Sequence, residues 1–151
     1  ATMHCTEANL GVSKNIGSFV LPLGSTINMN GTAIFQAIAA VFISQAYGIE
    51  LGWESLVMII VTATLSAVGA AGIPGAGLVT LSIVLSSVGL PIEGIAIIAG
   101  IDRVRDIIGT VVNILGDAVV AVYVAKTEGE LDMAQYNSGT IVSYEHETSK
   151  V

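Results

Sequence analysis

Two long stretches without a single Asp, Glu, Lys or Arg dominate this sequence: 35 residues at 15–49 and 38 residues at 55–92. A helix needs about 20 apolar residues to cross roughly 30 Å of hydrocarbon, so each run is long enough to meet a bilayer. Neither reads as one plain apolar helix. GSTINMNGT (residues 24–32) interrupts the first, and GAAGIPGAG (residues 69–77) interrupts the second. Backbone that leaves the helix inside lipid strands costly N–H and C=O groups, and it persists only where protein, water or an ion satisfies them.

The rest of the composition points the same way. Charged residues make up 11% of the chain, against about 25% in an average soluble domain, which is too few to clothe a soluble surface. Hydrophobic residues reach 53%, which excludes disorder for most of the chain. The net charge is −7 with only five Lys and Arg; that excludes nucleic acid as a partner, because phosphates demand clustered cations. A single cysteine, Cys5, excludes a disulfide framework within one chain. The sequence opens at Ala1 without Met, signal peptide or transit peptide, and a piece of a longer protein is expected.

These features predict an all-α membrane protein. Residues 15–47 read as one broken transmembrane helix, with half-helices at 15–23 and 33–47 and an unwound centre between them. In residues 55–90 the flanks of the glycine-rich centre reach only about 20 Å each at 1.5 Å per residue. A helix continuous through four glycines and a proline is disfavoured. A re-entrant hairpin remains, with its tip near the middle of the bilayer. Residues 93–125 read as the last long helix. Residues 1–10 read as a helix end stopped by Gly11, and residues 131–151 as a polar, flexible tail.

The polar groups on these elements suggest chemistry. Asp106, Thr110, Asn113 and Asp117 are spaced by four, three and four, which puts them on one helical face, with Asp102 a turn earlier. Carboxylates inside a membrane are costly and usually face a cavity and bind something. Arg103 and Arg105 lie off this stripe and are expected to pair with Asp102 or Asp106, or to snorkel and mark the helix's entry end. At the first break, freed carbonyls suit a cation, and Asn28, Asn30 and Thr32 add neutral oxygens while Met29 adds a thioether; oxygen-rich shells suit hard cations. At the second, glycines allow close backbone approach to a ligand, which reads as a gate. Tyr47 and Trp53 read as interface anchors. No nucleophile–base pair is visible, so no enzyme is expected.

Three segments in order, FVLPLGSTINMNGTA (19–33), SAVGAAGIPGAG (66–77) and DIIGTVVNILGDA (106–118), resemble the C-terminal transport core of the dicarboxylate/amino acid:cation symporter family, the glutamate transporter family. The resemblance covers residues 1–130. It implies that residues 1–10 are the second arm of a first re-entrant hairpin, followed by the broken helix, the second hairpin and the last helix of an elevator-type transport domain. It also implies a homotrimer built through a scaffold outside this chain, Na⁺ as coupling ion, an amino acid or dicarboxylate as substrate, and a multi-pass location in a cell membrane, expected to be a bacterial inner membrane.

Carried over residue by residue, the resemblance implies substrate ligands at Thr32, Asp106, Thr110 and Asn113, with backbone at Ile73 and Gly77. Asp106 would hold the substrate amino group. One implied Na⁺ site joins Asp117 to carbonyls of Gly24, Asn28 and Asn113. A second uses carbonyls of Thr26, Ala67, Val68 and Ala70 with Met29 sulfur nearby, and Asn28 also serves a third. Two positions depart from the family pattern. Asn30 stands where the family usually has aspartate, which weakens the third site. Gly109 stands where glutamate and aspartate carriers have arginine; this favours a neutral amino acid such as serine, alanine or threonine, unless Arg105 or an upstream residue supplies the charge. A carbonyl-lined channel and a very apolar structural protein are the competing readings.

Overall fold

The computed structural model describes residues 1–70 and 75–142. Its helices are α1 (Thr2–Ala8), α2 (Lys14–Ile27), α3 (Asn30–Ala46), α4 (Trp53–Ala67), α5 (Ala76–Ser87), α6 (Ile95–Ala99), α7 (Asp102–Thr127) and α8 (Met133–Ser138), with a 3₁₀ turn at Ile92–Gly94 before α6. Among the described residues there is no strand, only an isolated bridge between Val12 and Leu131. The stretch Lys14–Ala46 and the helix Asp102–Thr127 are long and apolar enough to cross a membrane. The chain forms two compact units, one of Ala1–Leu23 with Leu115–Val151 and one of Gly24–Ile114.

The break in the first run is much narrower than expected. Helix α2 continues through Pro22 and Gly24 to Ile27, and α3 begins at Asn30, so only Asn28 and Met29 lie between them rather than residues 24–32. A proline forfeits one backbone hydrogen bond, whereas an unwound stretch of nine residues would strand many; the helix therefore carries on past Pro22.

In the Gly24–Ile114 unit, α4 and α5 pack on each other and on α3, and their bounds lie within two or three residues of the expected arms. The core joins Ala39, Ala40 and Ile43 of α3 with Ile59 and Ala63 of α4 and Leu81, Val84 and Leu85 of α5. The alanines let the helix backbones come close, as small residues do between membrane helices. One polar side chain is fully buried here. Gln36 donates to Thr80 Oγ1 of α5 and accepts from Ser66 Oγ of α4 at 2.8 Å. Replacing Gln36 with alanine removes both links and leaves a void, and is expected to cost about 2–4 kcal/mol. A thermal melt of the full-length protein would read it as a lowered midpoint.

The expected single helix over residues 93–125 is interrupted. The 3₁₀ turn and α6 precede a turn at Gly100 and Ile101. The Ile101 N–H donates to Ile98 O at 3.0 Å, a three-residue step, before Arg105 N–H resumes the four-residue pattern to Ile101 O at 3.1 Å. Gly94 is held against α3, since a Cβ there would meet Ile43 Cγ2 at 2.5 Å. The packing of this entry segment on α3, together with the flexible Gly100, favours the tighter turn over a continuous rod.

In the other unit, Val12, Val20, Leu21, Ala121 and Ala125 form a second small core. Part of the expected flexible tail is placed. Asp132 N–H donates to Gly11 O at 2.8 Å, and Ser13 N–H donates to Glu130 O at 3.2 Å. The Asp132 carboxylate then caps α8, accepting from the Ala134 and Gln135 amides at 2.9 and 3.0 Å. Gln135 donates to Ala8 O, and Val142 N–H donates to Asn9 Oδ1 at 2.7 Å. Helix α1 ends at Ala8, three residues before the expected stop at Gly11.

Candidate functional site

The narrow break between α2 and α3 is where α7 reaches α3. The first N–H groups of any helix lack intrahelical partners, and Met29 at the head of α3 caps none of them through its side chain. Asn113 of α7 does so instead. Its Oδ1 accepts from the Gly31 N–H at 2.7 Å, while its Nδ2 lies 3.3 Å from Met29 sulfur. Thr32 is buried and its hydroxyl is 3.9 Å from the same sulfur. The approach is possible because position 31 has no side chain: a Cβ on Gly31 would sit 2.5 Å from Gly109 O and 2.8 Å from Gly109 Cα. Thus Met29, Thr32 and Asn113, three expected ligands, are brought together.

The second expected set is also partly assembled. Thr26 O accepts from the Gly69 N–H at 2.8 Å, which ties the end of α2 to the turn after α4. In that turn Ala70 N–H donates to Ala67 O at 3.1 Å; Ala67 and Ala70 are buried and Val68 is exposed. Carbonyl oxygens have a second lone pair, so accepting one N–H leaves Thr26 O and Ala67 O able to face a cation. Among the described residues no three His, Cys, Asp or Glu side chains gather. A cation here would be held by carbonyl, amide and single carboxylate oxygens, a donor set that fits a hard monovalent ion.

The carboxylate end of the stripe is organised by Arg105. Its guanidinium pairs with Asp102 and lies 3.6 Å from Asp106 Oδ1, the pairing expected for it. The same group lies 3.9 Å from the centre of the Phe35 ring of α3, a cation–π contact. Thr110 donates to its own helix at Asp106 O, 2.8 Å away, so its hydroxyl oxygen is left as an acceptor. Gly24 O accepts from Asn28 N–H at 2.7 Å. Asp117 lies one turn beyond Asn113 on α7, in the other unit, and is buried. Gly77 is buried in the first turn of α5, and Asn30 is exposed. Ile73 lies outside the described residues.

Two features were not read from the sequence. One is the crossing of Gly31 against Gly109, for which a pair of small residues on facing helices was the available signal. The other is Phe35 beneath Arg105, which no short motif marks. A hollow of about 670 Å³ also opens between α3 and the α6–α7 stretch, walled by residues such as Phe35, Ile38, Phe42, Ile98 and Ile108. Among the described residues Arg105 is the only charged one in its walls.

The profile of the sodium:dicarboxylate symporter family matches residues 1–127, and the chain belongs to that family. It is 48% identical over 120 residues to an excitatory amino acid transporter of Caenorhabditis elegans, covering 80% of this chain and 24% of that protein. It is 45% identical over 150 residues to human excitatory amino acid transporter 1, covering 99% and 28%. It is 52% identical over 117 residues to human excitatory amino acid transporter 3, covering 78% and 22%. The chain thus spans about a quarter of the length of these curated relatives. Family and relatives are transporters rather than enzymes, and a membrane protein follows. These relatives are animal proteins, which gives no support to the bacterial inner membrane expected from the sequence.

Proposed function

We propose that this chain is part of the transport domain of a Na⁺-coupled symporter that carries an amino acid or dicarboxylate. The carrying observation is the junction at the head of α3, where Asn113 of α7 bonds Gly31 and touches Met29. The Thr26–Gly69 bond beside it supports a coupling site shared by the broken helix and the hairpin. In this reading Thr32, Thr110 and Asn113 hold the substrate, Asp106 takes its amino group, and backbone at Ile73 and Gly77 takes its carboxylate. One Na⁺ is held by Asp117 with Gly24, Asn28 and Asn113, and another by Thr26, Ala67, Val68 and Ala70 near Met29. Asn30, neutral where the family usually has aspartate, argues for a weakened third ion site.

The mechanism is differential binding. Na⁺ and substrate together favour a closed hairpin, and the closed core then moves as an elevator against a trimeric scaffold encoded outside this chain. Each ligand can shift that equilibrium only by the difference in its affinity for the open and closed states. Gly109 alone favours a neutral side chain on the substrate; Arg105, on the same helical face one turn earlier, brings the acidic class back.

Reconstituted into vesicles, the full-length protein should accumulate a radiolabelled amino acid against its gradient, saturably and only with an inward Na⁺ gradient. A channel would instead pass current with no amino acid present, and that result would replace the symporter reading.

A further inference from the structure

We propose that the segment after α7, residues 130–142, is a strap lying in the membrane–water interface, with Met133, Tyr136 and Ile141 set against zwitterionic phospholipid. The strap needs only a membrane protein around it, and its placement holds whether or not the carrier is a Na⁺ symporter.

Both candidate spans meet this strap at one end. The stretch Lys14–Ala46 starts directly after Ser13, and α7 stops at Thr127, just before Glu128. Ser13 N–H donates to Glu130 O at 3.2 Å, and Asp132 N–H donates to Gly11 O at 2.8 Å. The foot of one span is thereby fastened to the foot of the other, inside the unit of Ala1–Leu23 and Leu115–Val151. The chain around this joint is charged, with Lys14, Lys126, Glu128, Glu130 and Asp132. Charges are expelled from hydrocarbon, so the joint marks the level at which both spans leave the lipid. Tyr123, one turn before the end of α7, is exposed, and tyrosines gather at such boundaries.

The strap is held at that level. Helix α7 ends through Gly129 at a φ of +71°, with Glu130 N–H donating back to Ala125 O at 2.8 Å, so the chain turns aside instead of running on into water. A Cβ on Gly11 would stand 2.6 Å from Asp132 O, which shows how closely the strap lies on the link between α1 and α2. Gln135 donates to Ala8 O. Asn9 accepts from Val142 N–H at 2.7 Å and donates to Val142 O at 3.3 Å. Glu130, Asp132, Gln135 and Val142 thus pin the strap along its length to residues 8–13.

The side chains away from these pins are apolar. Met133 and Tyr136 are three residues apart on one face of α8, and both are exposed. Ile141 is 85% exposed and Val142 is exposed beside it. Open apolar side chains crowded into one short segment mark a contact surface. A helix with one apolar and one polar side, placed where spans end, lies in the plane of the interface. Glu128, Glu130 and Asp132 at the joint outnumber Lys14 and Lys126, so anionic headgroups gain no attraction here. The fitting partner is a zwitterionic phospholipid, met through its upper acyl chain.

The test uses the full-length protein in phosphatidylcholine vesicles. The photoreactive residue p-benzoylphenylalanine replaces Tyr136, Ile141 or Ser138 in turn. Ser138 lies on the side of α8 opposite Met133 and Tyr136. After illumination, mass spectrometry should find phosphatidylcholine adducts at 136 and 141, and about tenfold fewer at 138. Where the variant at 136 does not fold, position 141 against 138 decides the matter. Adducts from 136 and 141 to other peptides of the protein would mean that another part of the chain covers the strap, and would overturn the proposal. So would equal lipid labelling at all three positions, or none at 136 and 141, which would put the strap in water.

Discussion

Valine at position 31 is expected to destabilise the core strongly, whereas alanine at position 109, the residue it touches, should be tolerated or slightly stabilising. At Gly31 a new Cβ would stand 2.5 Å from a backbone oxygen and 2.8 Å from a backbone carbon of Gly109, and backbone cannot rotate away as a side-chain tip can. Forcing the helices apart costs about 1–3 kcal/mol, and it also stretches the bond from Gly31 N–H to Asn113. At Gly109 a Cβ finds only ordinary contact at 3.9 Å, and alanine inside a helix is better than glycine by about 0.5–1 kcal/mol. Thermal unfolding of the two purified full-length variants would show opposite shifts. Shifts of the same sign and size would mean that α3 and α7 do not cross here.

Alanine at Asn113 should lower Na⁺-driven uptake by about 100-fold, a loss comparable to one or two hydrogen bonds of a charged or buried group. The side chain has two tasks in the structure. It caps α3 at Gly31, and its amide lies against Met29. If it also holds substrate and cation, the concentrations of both needed for half-maximal uptake should rise together. Titrating Na⁺ at fixed substrate, then substrate at fixed Na⁺, separates the cases. A variant with a raised substrate requirement but an unaltered Na⁺ curve would remove Asn113 from the ion site.

The elements were largely legible because their signals are local. Charge-free length marked the stretch Lys14–Ala46, and the four-three-four spacing of Asp106, Thr110, Asn113 and Asp117 needs nothing beyond helix geometry. The errors came where tertiary packing decides. Pro22 and Gly24 look like helix breakers, yet α2 runs through them because unwinding would have left more backbone groups unpaired. Residues 93–125 look continuous, yet the chain tightens at Gly100, six residues after Gly94, which is held against Ile43 of α3. At the site, the residue types at Thr32 and Asn113 were readable from motifs. The contacts of Arg105 with Phe35 and beside Gly77 were not, because they join residues 70 and 28 positions apart in sequence (105 − 35 and 105 − 77).

The clasp between Gly11–Ser13 and Glu130–Asp132 has a practical side. Because the chain after α7 is fastened back beside α2, an affinity tag or fluorescent reporter spliced in near residue 130 would prise that joint open. One attached after residue 142 would leave it shut, and a protease cut at Thr127 should release the last placed segment only when the joint has loosened.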